Sequence, residues 1–155
     1  MHEPIEALLF DLGGVVIDID FGRIYAAWGK AAGVSGEEIR RRLVFDDMWQ
    51  EYECGRISDE AFFAHLRATL DLHLTHEQFV DGWNAIFVGE IAGIAPLLRS
   101  AAAALPVYAF SNTNRAHEAC WSERFKETLS PVRKVFVSST IGLRKPDREA
   151  FDHVT

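Results

Sequence analysis

The sequence predicts an α/β protein with a doubly wound parallel sheet and an inserted helical module. Three short apolar stretches, each bounded by glycine or small polar residues, are typical of buried strands: residues 5–10, 107–110 and 135–137. Helical patterns alternate with these strands, as in a parallel sheet with helices on both faces. Residues 21–96 contain several helix starts and no convincing strand, which predicts a helical insertion after the first strand.

The first strand ends at an acidic residue that glycines follow. Asp11 comes directly after residues 5–10, and Gly13 and Gly14 come next. Open α/β folds bind ligands at the carboxyl edge of the sheet, and glycines let backbone N–H groups approach an anion closely. A carboxylate at this place can attack the anion or hold a cation against it. A plain turn, with Asp11 hydrogen-bonded to local N–H groups, explains this segment alone equally well.

Capping patterns divide the insertion into several helices. Ser35 with Glu38, and Thr75 with Gln78, have the spacing of capping boxes, in which each side chain satisfies a free backbone donor of the other residue. Apolar residues recur at helical spacing after the second box: Phe79, Trp83, Ile86 and Phe87. We expect most of the aromatic side chains concentrated in this region to form a helical core.

Other small and acidic residues mark further helix ends. Ser58 can cap one helix, and Gly55 can end the helix before it. Asp18 and Asp20 are close to Asp11 in sequence, but their position before Phe21 favours capping of the next helix over a role as acid or base.

Two further strand ends carry polar side chains. Ser111 and Asn112 follow the second strand, and Lys145 lies in the loop after the third. Helices are expected around these segments at residues 96–104, at 116–129 and from Asp147 onward. Taken singly, these side chains suit a helix cap or a solvated surface cation. Because parallel strands bring their carboxyl ends to one edge, the three ends together predict an anion site that includes Asp11.

The composition limits the class of protein and its partners. The chain has 155 residues, 48% of them hydrophobic and 25% charged, which suits one globular domain. Its net charge of −7 argues against nucleic acid and anionic membrane as partners. No apolar run reaches the ~20 residues of a membrane span, and residues 1–4 lack the layout of a signal peptide. Cys54 and Cys120 are isolated, as in a reducing compartment, so we expect a cytoplasmic protein.

Three segments, taken in order, resemble the motifs of a known hydrolase family. They are similar to motifs one, two and three of the haloacid dehalogenase-like (HAD) hydrolases: residues 10–14 (Phe-Asp-Leu-Gly-Gly), 110–112 (Phe-Ser-Asn) and 144–146 (Arg-Lys-Pro). Three ordered motifs over nearly the whole chain are far more specific than one. The resemblance implies a Rossmann-like core at residues 1–18 and 93–155, with a helical cap at residues 19–92.

The form of the motifs is most similar to the sugar-phosphatase branch of that family, which includes α-D-glucose-1-phosphate phosphatase. The segments that carry this likeness are residues 11–14, 56–62, 111–115 and 142–146. The branch implies hydrolysis of a small phosphorylated substrate, with Asp11 attacking phosphorus to form an aspartyl-phosphate. Ser111 and the Asn112 backbone N–H would hold phosphoryl oxygens, while Lys145 would neutralise charge and orient Asp11.

The family also implies a Mg²⁺ ion at Asp11. The ion would bridge this carboxylate and a phosphate oxygen, with the Gly13 backbone carbonyl as another ligand. Gly13 and Gly14 would in addition bind phosphate through their backbone. Gly13 stands where most family phosphatases carry an aspartate that acts as general acid and base, so protonation of the leaving group would fall to water, to a cap residue or to no group.

The sequence stops at Thr155, within the helix expected after Lys145. The family continues with a fourth strand, whose end carries the acidic pair of the magnesium site, and then with a fifth. We expect either a shortened product or a protein that has lost metal-dependent turnover. The absent strands would pair beside the first, so residues 5–10 are expected at the sheet edge, where unpaired backbone groups favour a homodimer.

The resulting hypothesis is a Mg²⁺-dependent phosphatase that acts on a small phosphomonoester, above all a sugar phosphate. Two alternatives stay open. One is a metal-independent carbon–halogen hydrolase that uses the same aspartate, although residues 12–14 differ from the motif usual in that group. The other is a catalytically silent phosphate-binding or interaction module, which the absent acidic pair favours and the presence of Asp11, Ser111 and Lys145 opposes.

Overall fold

Five strands alternate with ten helices in the computed structural model, which describes residues 4–155. In chain order the strands are β1 (Leu8–Phe10), β2 (Ile17–Ile19), β3 (Phe87–Glu90), β4 (Val107–Ser111) and β5 (Lys134–Val137). The helices are α1 (Phe21–Ala32), α2 (Gly36–Arg42), α3 (Asp47–Glu53), α4 (Asp59–Leu70), α5 (His76–Asn84), α6 (Ile94–Ala104), α7 (Arg115–Arg124), α8 (Lys126–Leu129), α9 (Ser138–Ile141) and α10 (Arg148–Val154). Residues 1–3, part of the amino-terminal segment judged to lack a signal-peptide layout, lie outside the described residues.

A three-stranded parallel sheet organises the core. Its order is β1-β4-β5, so the two strands after the insertion pair in parallel with each other and β4 also pairs with β1. The central strand β4 is the most buried, with Val107, Ala109 and Phe110 at most 1% exposed, because helices cover both faces of such a strand. The predicted α/β class with a parallel sheet is confirmed.

The register of the sheet brings the three strand ends together. Phe10 pairs with Ala109, and Ser111 pairs with Val137. The residues that follow β1 and β5 therefore lie on either side of the end of β4. This places the loops at Asp11, at Asn112 and after β5 along one edge, as the sequence predicted.

The insertion is held together by aromatic side chains. Trp28, Trp83, Phe62, Phe63 and Phe79 are all fully buried, and the Trp28 and Trp83 rings stack with centroids 5.9 Å apart. Burial of one such phenylalanine contributes about 1.5–3 kcal/mol, so this cluster accounts for much of the stability of α1–α5. The expectation of a helical aromatic core is confirmed.

The helix starts follow the predicted caps with two exceptions. Thr75 and Gln78 form a complete capping box at α5, and Ser58 caps α4. Ser35 accepts from the Glu38 N–H, but the Glu38 carboxylate pairs with Arg41 and Arg42 on its own helix instead of the Ser35 N–H. The predicted bond from the Ser35 N–H to the Glu38 carboxylate was therefore wrong, because two nearby guanidinium groups compete for that carboxylate.

The second exception concerns the start of α1. Asp20 is its N-cap and accepts from the Gly22 N–H at 2.7 Å. Asp18, for which the same role was expected, lies in β2 and makes no such cap. Gly55 follows the end of α3 with a φ of +67°, and glycine readily takes that left-handed conformation at a helix end.

The prediction of an insertion free of strands was wrong at its end. Helix α5 stops at Asn84, and Phe87 lies in β3 rather than on the helix. Strand β3 pairs antiparallel with β2, so the chain leaves the core and returns to it through one two-stranded ribbon. Helical spacing at Ile86 and Phe87 misled the prediction because both residues are buried, as residues on the inward face of a helix would be.

Other boundaries differ by a few residues. The first strand is shorter than predicted and begins at Leu8, and the helix expected at 116–129 is interrupted at Phe125 into α7 and α8. Cys54 is buried and Cys120 half-buried, and both are free thiols as expected. None of the helices within residues 4–155 has the length and apolar character needed to cross a membrane.

Candidate active site

Asp11 and Lys145 meet at the carboxyl edge of the sheet. The Lys145 Nζ lies 2.8 Å from the Asp11 Oδ1, and the same oxygen accepts the Leu12 N–H at 2.7 Å. The Asp11 side chain is 48% exposed and that of Lys145 is 20% exposed. The carboxylate is therefore anchored through one oxygen and open to solvent, and hence to a ligand, on the rest of its surface.

The ammonium of Lys145 is held from the strand side as well. Its Nζ donates to the Phe110 carbonyl at 2.8 Å and lies 5.2 Å from the centre of the Phe110 ring. A cation with a carboxylate, a carbonyl and an aromatic face around it keeps a fixed position. This is the local positive charge that an anionic ligand needs on a chain of net charge −7.

The side chain of Asn112 clamps the backbone of Lys145. Its Nδ2 donates to the Lys145 carbonyl and its Oδ1 accepts the Lys145 N–H, both at 2.8 Å. The sequence analysis assigned a role only to the backbone N–H of Asn112. It did not predict that the Asn112 side chain would bind the backbone of Lys145. A side-chain amide after a strand gives no signal of which loop it will meet.

A serine joins the loops after β4 and β5. The Ser138 Oγ accepts the Thr113 N–H at 2.9 Å and lies 3.0 Å from the Thr113 carbonyl, to which it donates. Ser138 is fully buried and Ser111, the last residue of β4, is 7% exposed. Hydrogen bonds between Ser138 and Thr113 therefore join the residues that follow β4 and β5, next to Asn112.

The turn after Asp11 is built around one carbonyl. The N–H groups of Val15, Val16 and Ile17 all lie within 3.2 Å of the Leu12 carbonyl oxygen. Gly14 has a φ of +75° and its N–H donates to the Ile17 carbonyl at 2.8 Å. The Gly14 N–H is paired within the turn and is not free to bind phosphate, contrary to the expectation for this residue. Gly13, in contrast, is exposed next to Asp11.

A recess of about 270 Å³ lies where the insertion meets the Lys145 loop. It is lined by Phe21, Phe45, Asp46, Trp49, Gln50, Glu53 and Arg144. Phe45 is 58% exposed and its ring centre lies 4.4 Å from that of Trp49. The recess thus offers aromatic surface beside a cation that is adjacent in sequence to Lys145.

The carboxylates of this recess already have protein partners. Asp46 accepts the Trp49 N–H through Oδ1 and lies 2.6 Å from His65 Nε2 through Oδ2. Glu53 accepts from Trp49 Nε1 at 3.2 Å and from Arg144 Nε at 2.9 Å. A ligand in the recess would meet ring faces, the exposed amide of Gln50 and Arg144 rather than free carboxylates.

A larger recess of about 570 Å³ lies away from these side chains. It lies on one face of the sheet, across all three strands, and is lined by Glu6, Ala7, Leu8, Leu9, Pro106, Tyr108, Phe136, Val154 and Thr155. None of these residues is a predicted site residue, and most belong to the strands and to the end of α10. Size alone therefore does not identify the site.

A buried histidine connects the insertion to the core. His117, on α7, lies within 3.1 Å of the Trp83 carbonyl through Nε2, and its Nδ1 lies 3.2 Å from Asn114 Nδ2. A carbonyl can only accept, so Nε2 carries the proton and Nδ1 accepts from Asn114. Burial lowers the pKa of His117 to about 4, and the ring is therefore neutral near pH 7.

The donors at Asp11 suit a hard cation but are few. Within residues 4–155 no group of three or more His, Cys, Asp or Glu side chains is arranged to hold a metal ion. Near the end of β1, the oxygen donors include the Asp11 carboxylate, which is 48% exposed, and the backbone carbonyl of exposed Gly13. Oxygen-only donors are the kind that Mg²⁺ prefers, so the residues present fit that ion as part of a site.

Comparison with known proteins identifies relatives over nearly the whole chain, although no family model matches. The chain is 28% identical over 158 residues to D-ribitol-5-phosphate phosphatase of Bacteroides thetaiotaomicron, a match that covers 96% of the chain and 74% of the relative. A HAD family enzyme from the same organism, solved in complex with magnesium and inorganic phosphate, superposes with a TM-score of 0.82 at 25% identity. That superposition covers 98% of the chain and 78% of the enzyme.

Two further structures share the fold. A HAD-like family hydrolase from Porphyromonas gingivalis superposes with a TM-score of 0.78 at 24% identity, over 97% of the chain and 74% of that protein. L-2-haloacid dehalogenase from Xanthobacter autotrophicus superposes with a TM-score of 0.65 at 20% identity, over 97% of the chain and 64% of that enzyme. At these identities the likeness concerns the fold.

The parallel sheet, the converging strand ends and these relatives define a Rossmann-like α/β hydrolase. Within that class, the chain is similar over nearly its whole length to haloacid dehalogenase-like hydrolases.

Proposed function

We propose that this chain is a phosphatase for a small phosphomonoester of a sugar or sugar alcohol, with Mg²⁺ as its cofactor. The observation that carries the proposal is the contact between Asp11 and Lys145 at the sheet edge. A carboxylate and an ammonium held together there suit the attack on a phosphoryl group and the neutralisation of its charge. The D-ribitol-5-phosphate phosphatase relative supports the substrate class.

The first chemical step uses the open side of Asp11. Its Oδ1 is anchored by Leu12 and Lys145, so we assign Oδ2 as the atom that attacks phosphorus. The Oδ2–phosphorus bond forms while the bond from phosphorus to the leaving oxygen breaks, which gives an aspartyl-phosphate and an alcohol. Water then attacks phosphorus, inorganic phosphate leaves, and the Asp11 carboxylate is regenerated.

Ser111 and Lys145 act on the phosphoryl oxygens in this proposal, together with the backbone N–H of Asn112. Lys145 keeps its position because Asp11, Phe110 and Asn112 hold it. Preorganised donors of this kind stabilise charge in the transition state without reorganisation. Mg²⁺, held by the Asp11 carboxylate and the Gly13 carbonyl, would supply further charge neutralisation at the phosphate.

The residue at position 13 has no side chain to protonate the leaving oxygen, so we assign that proton to water. The leaving group itself would lie in the recess of about 270 Å³ beside Arg144. The apolar C–H faces of a sugar or sugar alcohol can pack on Phe45 and Trp49, with hydroxyls toward Gln50. We further propose that residues 19–92 act as the cap over the core formed by the flanking segments.

The test is turnover with Mg²⁺ against pentitol, pentose and hexose phosphates, with 2-haloacids as a counter-panel. The expected result is release of inorganic phosphate, which Asp11→Asn abolishes because a neutral amide is a poor nucleophile. Circular dichroism of the variant checks that it folds. Equal rates for both proteins, in preparations free of contaminating phosphatase, would refute the assignment of Asp11, and release of halide alone would refute the proposed reaction.

A further inference from the structure

The end of α3 meets the loop that carries Lys145. Glu53, the last residue of α3, lies 2.9 Å from both Nε and Nη2 of Arg144 through its Oε2. The contact joins residues 91 positions apart in the sequence. Only 14% of the Glu53 side chain and 25% of the Arg144 side chain are exposed. Exposed ion pairs contribute little, whereas a pair withdrawn from water is costly to break because one charge is left without a partner.

The insertion fixes Glu53 from the other side. Its Oε1 accepts from Trp49 Nε1 at 3.2 Å, and Trp49 is 8% exposed within the aromatic cluster that includes Phe62 and Trp83. Both carboxylate oxygens therefore have partners, one in the insertion and one in the core. Glu53 is therefore the more fully bonded and more buried partner of the pair.

The residues after Glu53 follow the same loop. Gly55 has a φ of +67°, and a Cβ atom at this position would lie 2.0 Å from the Ser139 carbonyl oxygen. Glycine is required there, because any side chain would push the turn off the loop. Arg56 Nη2 reaches the Gly142 carbonyl at 3.4 Å. The contact between the insertion and the loop thus extends from Glu53 to Arg56.

The loop that carries Lys145 therefore has two anchors, at the neighbouring residues Arg144 and Lys145. Asn112 holds the backbone of Lys145 from the core, and Glu53 holds Arg144 from the insertion. We infer that Glu53 is a positioning residue for Lys145 that acts through Arg144, and so makes the placement of Lys145 depend on the seating of the insertion. This inference rests on the proposed function insofar as it assigns a catalytic consequence to Lys145.

Steady-state kinetics on the best phosphate ester test the inference. Glu53→Gln keeps the shape of the side chain but removes the charge that holds Arg144. Since a displacement of about 1 Å can cost up to about 10²-fold in rate, we expect kcat to fall about tenfold with KM nearly unchanged. A raised KM with an unchanged kcat would show that Glu53 contributes to substrate binding, and would overturn the positioning role.

A double-mutant cycle tests whether the effect passes through Arg144. Arg144→Ala is expected to lower kcat by a similar factor, and the double variant to be no slower than the slower single variant, because groups that act as one unit are not additive. Multiplicative losses would overturn the inference. The matched control is Glu37→Gln on α2, whose partner Arg40 is 3.8 Å away with both side chains more than two-thirds exposed. We expect this control to keep the parent rate.

Hydrogen exchange separates this inference from the proposed function. We expect backbone amides of residues 138–147 to exchange faster in both Glu53→Gln and Arg144→Ala than in the parent chain or in Glu37→Gln. Unchanged exchange in both variants would overturn the positioning of the loop, whatever the enzyme hydrolyses. A parent chain with no turnover would overturn the proposed function, and the exchange comparison would then decide the positioning by itself.

Discussion

The Asn112 side chain holds both backbone polar groups of Lys145, at 2.8 Å each. One amide thus fixes a residue 33 positions away in the sequence. Asn112 and Lys145 are both half-buried, so water has little room to replace either hydrogen bond. A buried polar group without a partner costs about 1–3 kcal/mol. The position of Lys145 relative to Asp11 therefore depends on Asn112 as much as on the loop itself.

We predict that Asn112→Ala lowers both stability and turnover. Loss of the two bonds should reduce the free energy of unfolding by about 1–3 kcal/mol, and turnover about tenfold or more, because Lys145 is no longer fixed. Urea denaturation and steady-state kinetics measure the two effects. The matched control is Asn84→Ala, since the buried Asn84 Oδ1 has no hydrogen-bond partner within residues 4–155. Equal losses of stability in the two variants would contradict the clamp.

The buried histidine gives the fold a defined sensitivity to acid. Burial lowers the pKa of His117 to about 4, from an ordinary value of 6.5. The unfolded chain therefore takes up a proton at His117 near pH 6.5, while the folded chain takes it up only near pH 4. The stabilising contribution is fully present above pH 6.5 and is lost as the pH falls toward 4, by about 3 kcal/mol in all.

Urea denaturation between pH 7 and pH 4.5 checks this prediction. The parent chain should lose more stability over that range than His117→Gln, which cannot take up the proton. His73→Gln is the matched control, because His73 is exposed and should lose as much stability as the parent. A parent and a His117→Gln variant with parallel pH profiles would show that the neutral ring does not contribute in this way.

Much of the site could be predicted because it rests on strand ends. The alternation of strands and helices places Asp11, Ser111 and Lys145 at one edge whatever the details of packing, and the structure does bring Asp11 and Lys145 into contact. The sequence analysis assigned no role to Glu53 and named Arg144 only as part of motif three, and these two side chains meet through a contact across 91 residues. No local sequence pattern predicts such a contact, because an acidic residue at the end of a helix can equally well be exposed to solvent.

The failure to predict strand β3 has a related cause. Periodicity reports which residues are buried, and Phe87 is buried at 5% exposure although it belongs to a strand. The pairing of β3 with β2 depends on where the chain re-enters the core, which is a property of the whole fold. Local propensity and spacing therefore cannot distinguish the last turn of α5 from a short strand.

We predict that Mg²⁺ binds weakly to the chain in the absence of phosphate. A hard cation that meets one carboxylate and one carbonyl keeps most of its water, and no group of three or more acidic or imidazole side chains lies within residues 4–155 to hold it. Calorimetry should show binding that strengthens when inorganic phosphate is added, and that Asp11→Asn weakens. Tight binding by magnesium alone would contradict this and would indicate acidic ligands beyond those identified.

The last prediction concerns the free edge of β1. Within the described residues β1 pairs with β4 alone, so one side of Leu8–Phe10 presents unpaired N–H and C=O groups. Ile5 is 71% exposed and Leu9 39% exposed, and the recess of about 570 Å³ lies on the adjoining sheet face. The end of α10 lines that recess, and Ile5 and Leu9 still keep apolar surface exposed beside the unpaired edge.

Residues 7–10 carry no charge, proline or bulge, and Glu6 alone gives weak protection, so this edge invites pairing with another strand. A two-fold dimer is the commonest way to cover it. We therefore expect a homodimer at micromolar concentration, with its interface at or near residues 5–10. Size-exclusion chromatography with light scattering measures this, and Leu9→Lys should shift the protein to monomer because a charge on the edge opposes pairing. Leu97→Lys is the control, since Leu97 is 52% exposed on α6 and should leave the dimer intact. A stable monomer of the parent chain would mean that this edge stays solvated, and equal dissociation by both variants would place the interface elsewhere.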